Sequence, residues 1–569
     1  MGTLETVLFE RSHIFTHVEK RVDALMKGYR QNIGIIGPEG CGKSHLLNRV
    51  HRSLSERNDL IKIYLNAESL SFEHFMYRWI GANLSALLQS ENMLPSTDVD
   101  EMMGRVSEVA PRSVEKIQQV NKMFRKQERS SAVLKELLGL PGIISGEAGK
   151  KAVCIIDEFH LMELLPVKDP FAILGREIMV EKETLYLVSS SKAEKAREIF
   201  QDKLSMLFGN FEILELAPLN YMETSCYVRK IQPGFSFSET QKKILIHMTD
   251  GFPVYIELLL DQLGMSFPVS HVASNEGDKG SEVPNERLVQ SYFKELFDSK
   301  GRLSLIFEKR LQLCRRFAKD PSPYIQALLA IAFGRRKIPN VATYIDRTVA
   351  ETKKVLFRLV QEEIVVKRGA FYVIEDHLFR YWLSEVYHKK CQQFEPDETA
   401  VKEVFLSSLQ RTFERISEED NRQAVDRIES LFKEFRNDLI EIGGRKWRCP
   451  QFQEVTMKPS NSRFSLLWAK NSISRWMCQF ATRLVTEEDV LIFKDETKRY
   501  RKKLQRRIMI VLAGIDQNAK LLAQEAKIQL WDLRDVNILL DLYGLPKIIL
   551  MEEMRVNAAS VLVEDGMPA

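Results

Sequence analysis

The sequence predicts an α/β fold on a parallel sheet, extended by a helix-rich middle and a second α/β region. Three observations predict it. Residues Gly37-Pro38-Glu39-Gly40-Cys41-Gly42-Lys43-Ser44 match the pattern G-x-x-x-x-G-K-[ST] in full. The apolar run Ile33-Gly34-Ile35-Ile36 precedes it as a buried strand, and His45-Leu46-Leu47-Asn48-Arg49-Val50 follows as the opening of a helix. Well downstream, Lys151-Ala152-Val153-Cys154-Ile155-Ile156-Asp157-Glu158 reads as a second buried strand ending in two carboxylates.

The loop's spacing has a chemical reason. Its glycines let the backbone curl so that successive N–H groups point at a β-phosphate, and the helix N-terminus adds its positive dipole. Lys43 then reaches the β- and γ-phosphates, and the Ser44 hydroxyl ligates magnesium. Residues Gly37 to His45 form the candidate nucleotide-binding stretch, with ATP and Mg2+ as the expected ligands. On the second strand Asp157 would hold the magnesium, mostly through water, and Glu158 would polarise the attacking water as general base. The competing reading is a core strand that happens to end in acids. His160, on the following turn, is expected to be a surface or packing residue.

Two more strands complete the sheet. Thr184-Leu185-Tyr186-Leu187-Val188 closes on Ser189-Ser190-Ser191, and Ser190 is the candidate for a polar group that senses the γ-phosphate, although serines also form ordinary turns. Phe211 to Leu216 runs into Ala217-Pro218-Leu219, after which a helical lid contains Asp250-Gly251-Phe252-Pro253-Val254-Tyr255.

At 569 residues the chain is too long for one core, and about three or four domains are expected. Hydrophobic content of 44% with 28% charged residues describes a soluble globular composition, and the formal charge of +4 says little by itself. The seven cysteines are scattered without a C-x-x-C pair, which fits reduced thiols in the cytoplasm and suggests no zinc site. No apolar stretch reaches the length of a membrane span, and no signal core opens the chain. Met1 to Thr6 formally fits a myristoylation pattern and is read as an ordinary start.

The order of phosphate loop, D-E strand, serine-ended strand, Glu215-Leu216-Ala217-Pro218-Leu219 and Gly251-Phe252-Pro253-Val254-Tyr255 resembles the archaeal-type P-loop ATPases. These are relatives of the AAA+ origin-binding proteins and of the STAND signalling NTPases. Phe9-Glu10-Arg11 partly matches that family's opening segment. The resemblance covers residues 1 to about 390. It implies an AAA+-like parallel sheet with a helical lid, ATP hydrolysis, and Pro253 packed near the nucleotide base. One position departs from the family. Where its members carry a G-R pair, this chain has Gly209-Asn210, so hydrolysis is expected to be slow unless Arg197 or Lys203 substitutes. Residues 96–150 read as an insertion with charged helical stretches, and residues 266–286 as a polar linker.

Residues 322–376 read as helix, short helix, amphipathic helix and hairpin, a winged helix-turn-helix by pattern. Thr348, Thr352, Lys353 and Arg358 are expected on the exposed face of the third helix, with Lys367 and Arg368 at the wing. These residue types suit phosphates and base edges. The alternative is an internal relay or assembly surface. Asp376-His377-Leu378-Phe379-Arg380-Tyr381-Trp382 resembles the family's D-P-L-F-R-x-W packing signature, with His377 in place of proline.

From about residue 398 the expected order is a long helix, three strands, helix, strand, helix, strand and helix. The strands fall near 446–450, 452–458, 464–470, 508–514 and 528–533. This layout resembles the restriction-endonuclease-like domains fused to such ATPases. Active members pair acids on the second and third strands with a lysine. Here Glu454 and Lys470 are present, Trp468 stands where the second acid belongs, and Glu441, expected on the preceding helix, is a possible further ligand. An inactive, binding-only domain is favoured. Lys498 to Arg507 holds seven basic residues in ten positions and is expected to be a helix facing a phosphate backbone or, alternatively, solvent.

The expected domains are therefore an ATPase core (1–218), lid and linker (219–320), winged helix (321–392) and a degenerate nuclease-like domain (393–569). The leading functional expectation is a cytoplasmic ATP-dependent switch acting on double-stranded DNA, with nucleotide-dependent homo-oligomers as a further possibility. The rival expectations are an ATP-gated nuclease and a signalling scaffold with protein partners.

Overall fold

The structure, a computed structural model, describes residues 11–550 except 70, 205–208, 233, 267–280, 318, 393–398, 460–464, 499 and 501–503. The chain divides between Pro218 and Leu219 into two compact units.

In the first unit five strands, β1 (Asn32–Ile36), β2 (Leu60–Asn66), β3 (Lys151–Asp157), β4 (Thr184–Ser190) and β5 (Phe211–Glu215), form a sheet in the order β2-β3-β4-β1-β5. Every pairing is parallel. Strand side chains alternate between faces, so a sheet covered on both sides needs apolar residues at successive positions. On β3 and β4, Val153, Ile155, Leu185 and Leu187 enter one core with Val18, Val22 and Leu47. Ala152, Cys154, Ile156, Tyr186 and Val188 enter the other. Helices Ser12–Met26 and Lys43–Ser53 cover the first face. Phe72–Ser90 and Pro170–Val180 cover the second.

The expected insertion consists of four helices, Val99–Val106, Pro111–Arg125, Ser130–Leu138 and Leu140–Ala148. Their apolar stripes, through Met102, Ile117, Leu134 and Ile144, extend the second core. Trp79 is fully buried among them and donates its indole N–H to the Leu137 carbonyl at 2.8 Å. Charged residues occupy the outer helix faces, which is why this stretch reads as polar in sequence while adding to the core.

Register fixes which strand ends meet. Ile36 pairs with Ser190, Ile156 with Val188, and Asn66 with Asp157. The carboxyl ends of β1 to β4 therefore share one edge, and the connections leaving the neighbours β1 and β4 run in opposite directions, to β2 and to β5. In open α/β sheets that edge is where ligands bind.

The second unit opens with helices Tyr221–Ile231, Glu239–Thr249, Pro253–Ser266, Asn285–Leu296 and Arg302–Phe317, with the short strands β6 (Phe235–Ser236) and β7 (Ser281–Glu282) paired between them. Helices Ser322–Ala332, Ile338–Tyr344 and Val349–Gln361 then lead into an antiparallel hairpin, β8 (Val366–Arg368) and β9 (Phe371–Val373). Thr348 closes a capping box with Glu351 at the start of the third helix. Thr352 is not exposed as expected. It lies on the stripe of Val355, Leu356 and Leu359, is fully buried, and donates its hydroxyl to the Thr348 carbonyl at 2.9 Å.

The C-terminal part differs from expectation in several places. The long helix is two helices, Thr399–Asn421 and Ala424–Lys433. Glu441 is not helical but lies on β10 (Asp438–Ile442), which pairs with β11 (Arg445–Cys449) as a separate ribbon. Beyond it, β12 (Glu454–Pro459), β13 (Ser465–Lys470), β14 (Arg475–Ala481), β15 (Arg506–Val511) and β16 (Gln529–Asp532) form a mixed sheet in that order. The pairs β12–β13 and β13–β14 are antiparallel, and β14–β15 and β15–β16 are parallel. The sequence reading missed β14, the central strand. Its entry turn is local: Asn471 Oδ1 accepts the Ile473 and Ser474 N–H groups at 2.9 and 2.6 Å. The basic stretch Lys498–Arg507 is not one helix. The preceding helix ends at Lys498, Arg506 and Arg507 begin β15, and 499 and 501–503 lie outside the described residues.

The hairpin is committed to packing within this unit. Gly369 has φ +69, and a Cβ there would lie 2.4 Å from the Leu439 carbonyl oxygen. The Ala370 N–H donates to that same oxygen at 2.8 Å. Phe371 and Val373 share a core with Phe432, Ile440, Trp447, Trp476 and Trp531. Charged groups reinforce the junction. Arg380 pairs with Asp541, Lys337 with Asp438, and the Tyr543 hydroxyl donates to Asp438 at 3.0 Å. Burial alone would raise the Asp541 pKa, yet Arg380 and Arg336 hold it well below the usual carboxylate range.

Asp541→Asn removes the ion-pair partner of the buried Arg380 guanidinium, leaving only the more distant Asp250 and Asp376 charges, and a loss of about 3–5 kcal/mol is expected in denaturant unfolding. Because the folded-state pKa is depressed, this contribution is present above the unfolded value of about 3.9 and fades as pH falls below it. Removing Arg380 in the Asp541→Asn background should cost less than removing it alone.

Among the described residues no helix is long and apolar enough to cross a membrane. All seven cysteines are free.

Candidate functional site

The loop after β1 is shaped by close approaches. A Cβ on Gly37 would lie 2.2 Å from the Leu216 carbonyl oxygen, on the segment leaving β5, so only glycine fits. Gly42 takes φ +96, a left-handed conformation that turns the chain into helix Lys43–Ser53, and no side chain caps that helix. Its first N–H groups are therefore available to an anion. Pro38, Glu39, Ser44 and His45 are exposed, while Cys41 is buried. Lys43 is only 4% exposed, and its ammonium donates to the Pro38 carbonyl at 2.9 Å, leaving further N–H groups for a ligand.

At the neighbouring strand ends, Asp157 is 1% exposed. Its Oδ1 accepts from the Ser189 hydroxyl, and its Oδ2 from the Tyr64 hydroxyl at 3.2 Å. Two hydroxyl donors thus satisfy the acceptors of this buried carboxylate and fix its orientation. Glu158 sits at φ +53, a strained backbone position for a side-chain-bearing residue. Its Oε2 accepts the Ser191 N–H at 2.8 Å. Burial pushes its carboxyl above the usual range, the Lys43 charge opposes that, and Asp157 adds to it. Lys43 and Asp157 thus both act electrostatically on Glu158.

Of the two buried serines, Ser189 serves Asp157. Ser190, the residue singled out from sequence, touches His160 Nδ1 at 3.0 Å and the Lys192 backbone. His160 is not a surface residue, since its side chain is 10% exposed and faces both Ser190 and Glu158. Tyr64 was not anticipated. Alternation along β2 shows only that Tyr64 shares a face with Leu60 and Lys62, and the pairing of β2 with β3 is what carries it to Asp157.

The donor set fits a magnesium triphosphate: an ammonium, an uncapped helix N-terminus and a hydroxyl on one side, and two carboxylates on the other. Asn210, where the resemblance led to an expected arginine, directly precedes β5. Arg197 is tied to Glu194 and Glu215, and Lys203 to Glu163. Pro253, at the start of its helix in the second unit, is half-buried.

The other sequence candidates also have places in the second unit. Lys353 and Lys367 are exposed, and Lys367 lies over the Tyr372 ring. Arg358 pairs with Glu362 at 2.8 Å, and Arg368 with Glu375 at 2.6 Å. Glu454 and Lys470 stand directly opposite on β12 and β13 and pair with each other at 2.8 Å. Trp468 packs edge-on against Tyr500.

Residues 26–185 match the family model described as an AAA domain. No curated protein matches the chain. Among solved structures it is similar to a Walker-type ATPase of Pyrococcus abyssi, with 14% identity, 66% of this chain and 96% of that one covered, and a TM-score of 0.42. It is also similar to the ORC2 protein of Aeropyrum pernix in ADPNP–ADP complexes, with 11% identity, 71% and 95% covered, and a TM-score of 0.40. A third is the ORC1 protein of Aeropyrum pernix in complex with DNA, with 14% identity, 67% and 94% covered, and a TM-score of 0.35. The first unit carries an AAA-type, P-loop ATPase-like α/β domain.

Proposed function

We propose that this chain is a cytoplasmic ATP-binding and ATP-hydrolysing switch whose nucleotide state governs DNA binding by its second unit. The observation that carries this reading is the convergence of Lys43, Asp157 and Glu158 at one sheet edge, beside an uncapped helix N-terminus. Ser44 and Asp157 would hold magnesium, whose charge would offset that of the phosphate oxygens. Lys43 and the loop N–H groups bind and orient the triphosphate. Ser189 and Tyr64 hold Asp157 fixed in orientation. Glu158, with one oxygen anchored on the Ser191 N–H, takes the proton of the attacking water. Asn210 in place of an arginine supports slow turnover.

The three helices and hairpin of residues 322–373 are read as a winged helix. With the hairpin tip packed against β10, the third helix, through Lys353, is the better candidate for DNA, aided by the basic stretch Lys498–Arg507. The nuclease alternative is disfavoured because Glu454 is spent on Lys470 and tryptophan stands at position 468. ATP hydrolysis should be measured with and without double- and single-stranded DNA, and DNA affinity at 50 and 200 mM salt. A rate that responds to double-stranded DNA and an affinity that falls at least about tenfold with salt are expected. An unchanged rate together with salt-independent binding would refute DNA as the partner.

A further inference from the structure

Three side chains at the sheet edge form a chain of contacts that ATP binding does not require. His160 Nδ1 lies 3.0 Å from Ser190 Oγ and 3.3 Å from Glu158 Oε2. The Lys192 carbonyl lies 3.0 Å from the Ser190 hydroxyl as an acceptor for its hydrogen, and the Ser190 oxygen accepts the Lys192 N–H at 3.1 Å. With its hydrogen on the Lys192 carbonyl, Ser190 meets the ring as an acceptor, as does the Glu158 carboxylate. Nδ1 lies between these two oxygens, an arrangement that the Nδ1–H tautomer satisfies by offering its hydrogen to them. Burial, together with the Lys192 and Lys43 charges, lowers the His160 pKa to about 4, so the ring is neutral at ordinary pH. A neutral imidazole can share one N–H between these oxygens without adding charge beside Lys43.

We propose that His160 is a positioning residue that links Ser190 to Glu158, its Nδ1–H and the Ser191 N–H together anchoring Oε2 so that the other carboxylate oxygen is presented to the attacking water. The inference rests on the reading of Glu158 as general base. Ser190 is thereby given a purpose: any shift of the end of β4 reaches the base through the imidazole ring.

The test uses the full chain, steady-state ATP hydrolysis and direct binding of a non-hydrolysed ATP analogue. His160→Ala should lower kcat about 10- to 100-fold, with KM and analogue affinity within about threefold of wild type. His160→Asn, whose amide can donate near the Nδ1 position, should recover most of the rate. An equal loss in His160→Ala and His160→Asn would assign the ring a packing role and overturn the proposal. A His160→Ala rate equal to wild type, with Glu158→Gln inactive, would overturn the positioning role and leave the base intact. Wild-type turnover in Glu158→Gln would overturn the reading of the site itself, and the proposal with it.

Discussion

Lys43→Ala loses the nucleotide. The ammonium is buried, spends one N–H on the Pro38 carbonyl, and faces the Glu158 carboxylate. A triphosphate entering this loop brings several negative charges beside two acids, and Lys43 is the cation built into the loop to meet them. Charge-assisted hydrogen bonds contribute about 1.5–3 kcal/mol each. Losing two of them weakens binding by at least about a hundredfold. Direct titration with a fluorescent ATP analogue checks this. Lys43→Arg should also bind poorly, because a planar guanidinium is larger than an ammonium and cannot take its place under the Pro38 carbonyl. Thermal unfolding of the first unit should change little, since the protein loses only the bond to the Pro38 carbonyl and a long one to Cys41 Sγ. Tight analogue binding by Lys43→Ala would place the nucleotide elsewhere.

Glu158→Gln separates binding from turnover. Glutamine keeps the shape of the side chain and still accepts the Ser191 N–H, so analogue affinity should stay within about threefold of wild type. It cannot take a proton from water, and turnover should fall by about 10²–10⁴. A single-turnover assay distinguishes a slowed chemical step from slow product release. Hydrolysis unchanged by the substitution would remove Glu158 from the chemistry.

How much of this was legible in the sequence depended on whether the signal was local. The loop at Gly37–Ser44 is contiguous, and its flanking strand and helix are written beside it. The acids Asp157 and Glu158 could be placed because an apolar run ending in two carboxylates is rare enough to stand out. Tyr64 and His160 were not legible in the same way. Tyr64 reaches Asp157 only through the pairing of β2 with β3, and His160 gains its meaning from the end of β4. In the C-terminal part β14 escaped because it is buried on both faces, so its Trp476, Cys478 and Phe480 alternate with Met477 and Gln479 without a polar contrast. The stretch Lys498–Arg507 looked helical because its charge density resembles a solvated helix face, yet the parallel pairing with β14 claims Arg506 and Arg507 for a strand.

The seating of the β8–β9 hairpin limits how this protein could be trimmed by evolution. A shortened descendant ending near residue 392 would inherit Phe371 and Val373 stripped of their cover, along with unmatched cations at Arg336, Lys337 and Arg380. Such a chain would need to repaint that surface before it could stay in solution. The tail and the hairpin are therefore held together by a shared liability, which makes loss of either one alone a costly evolutionary step.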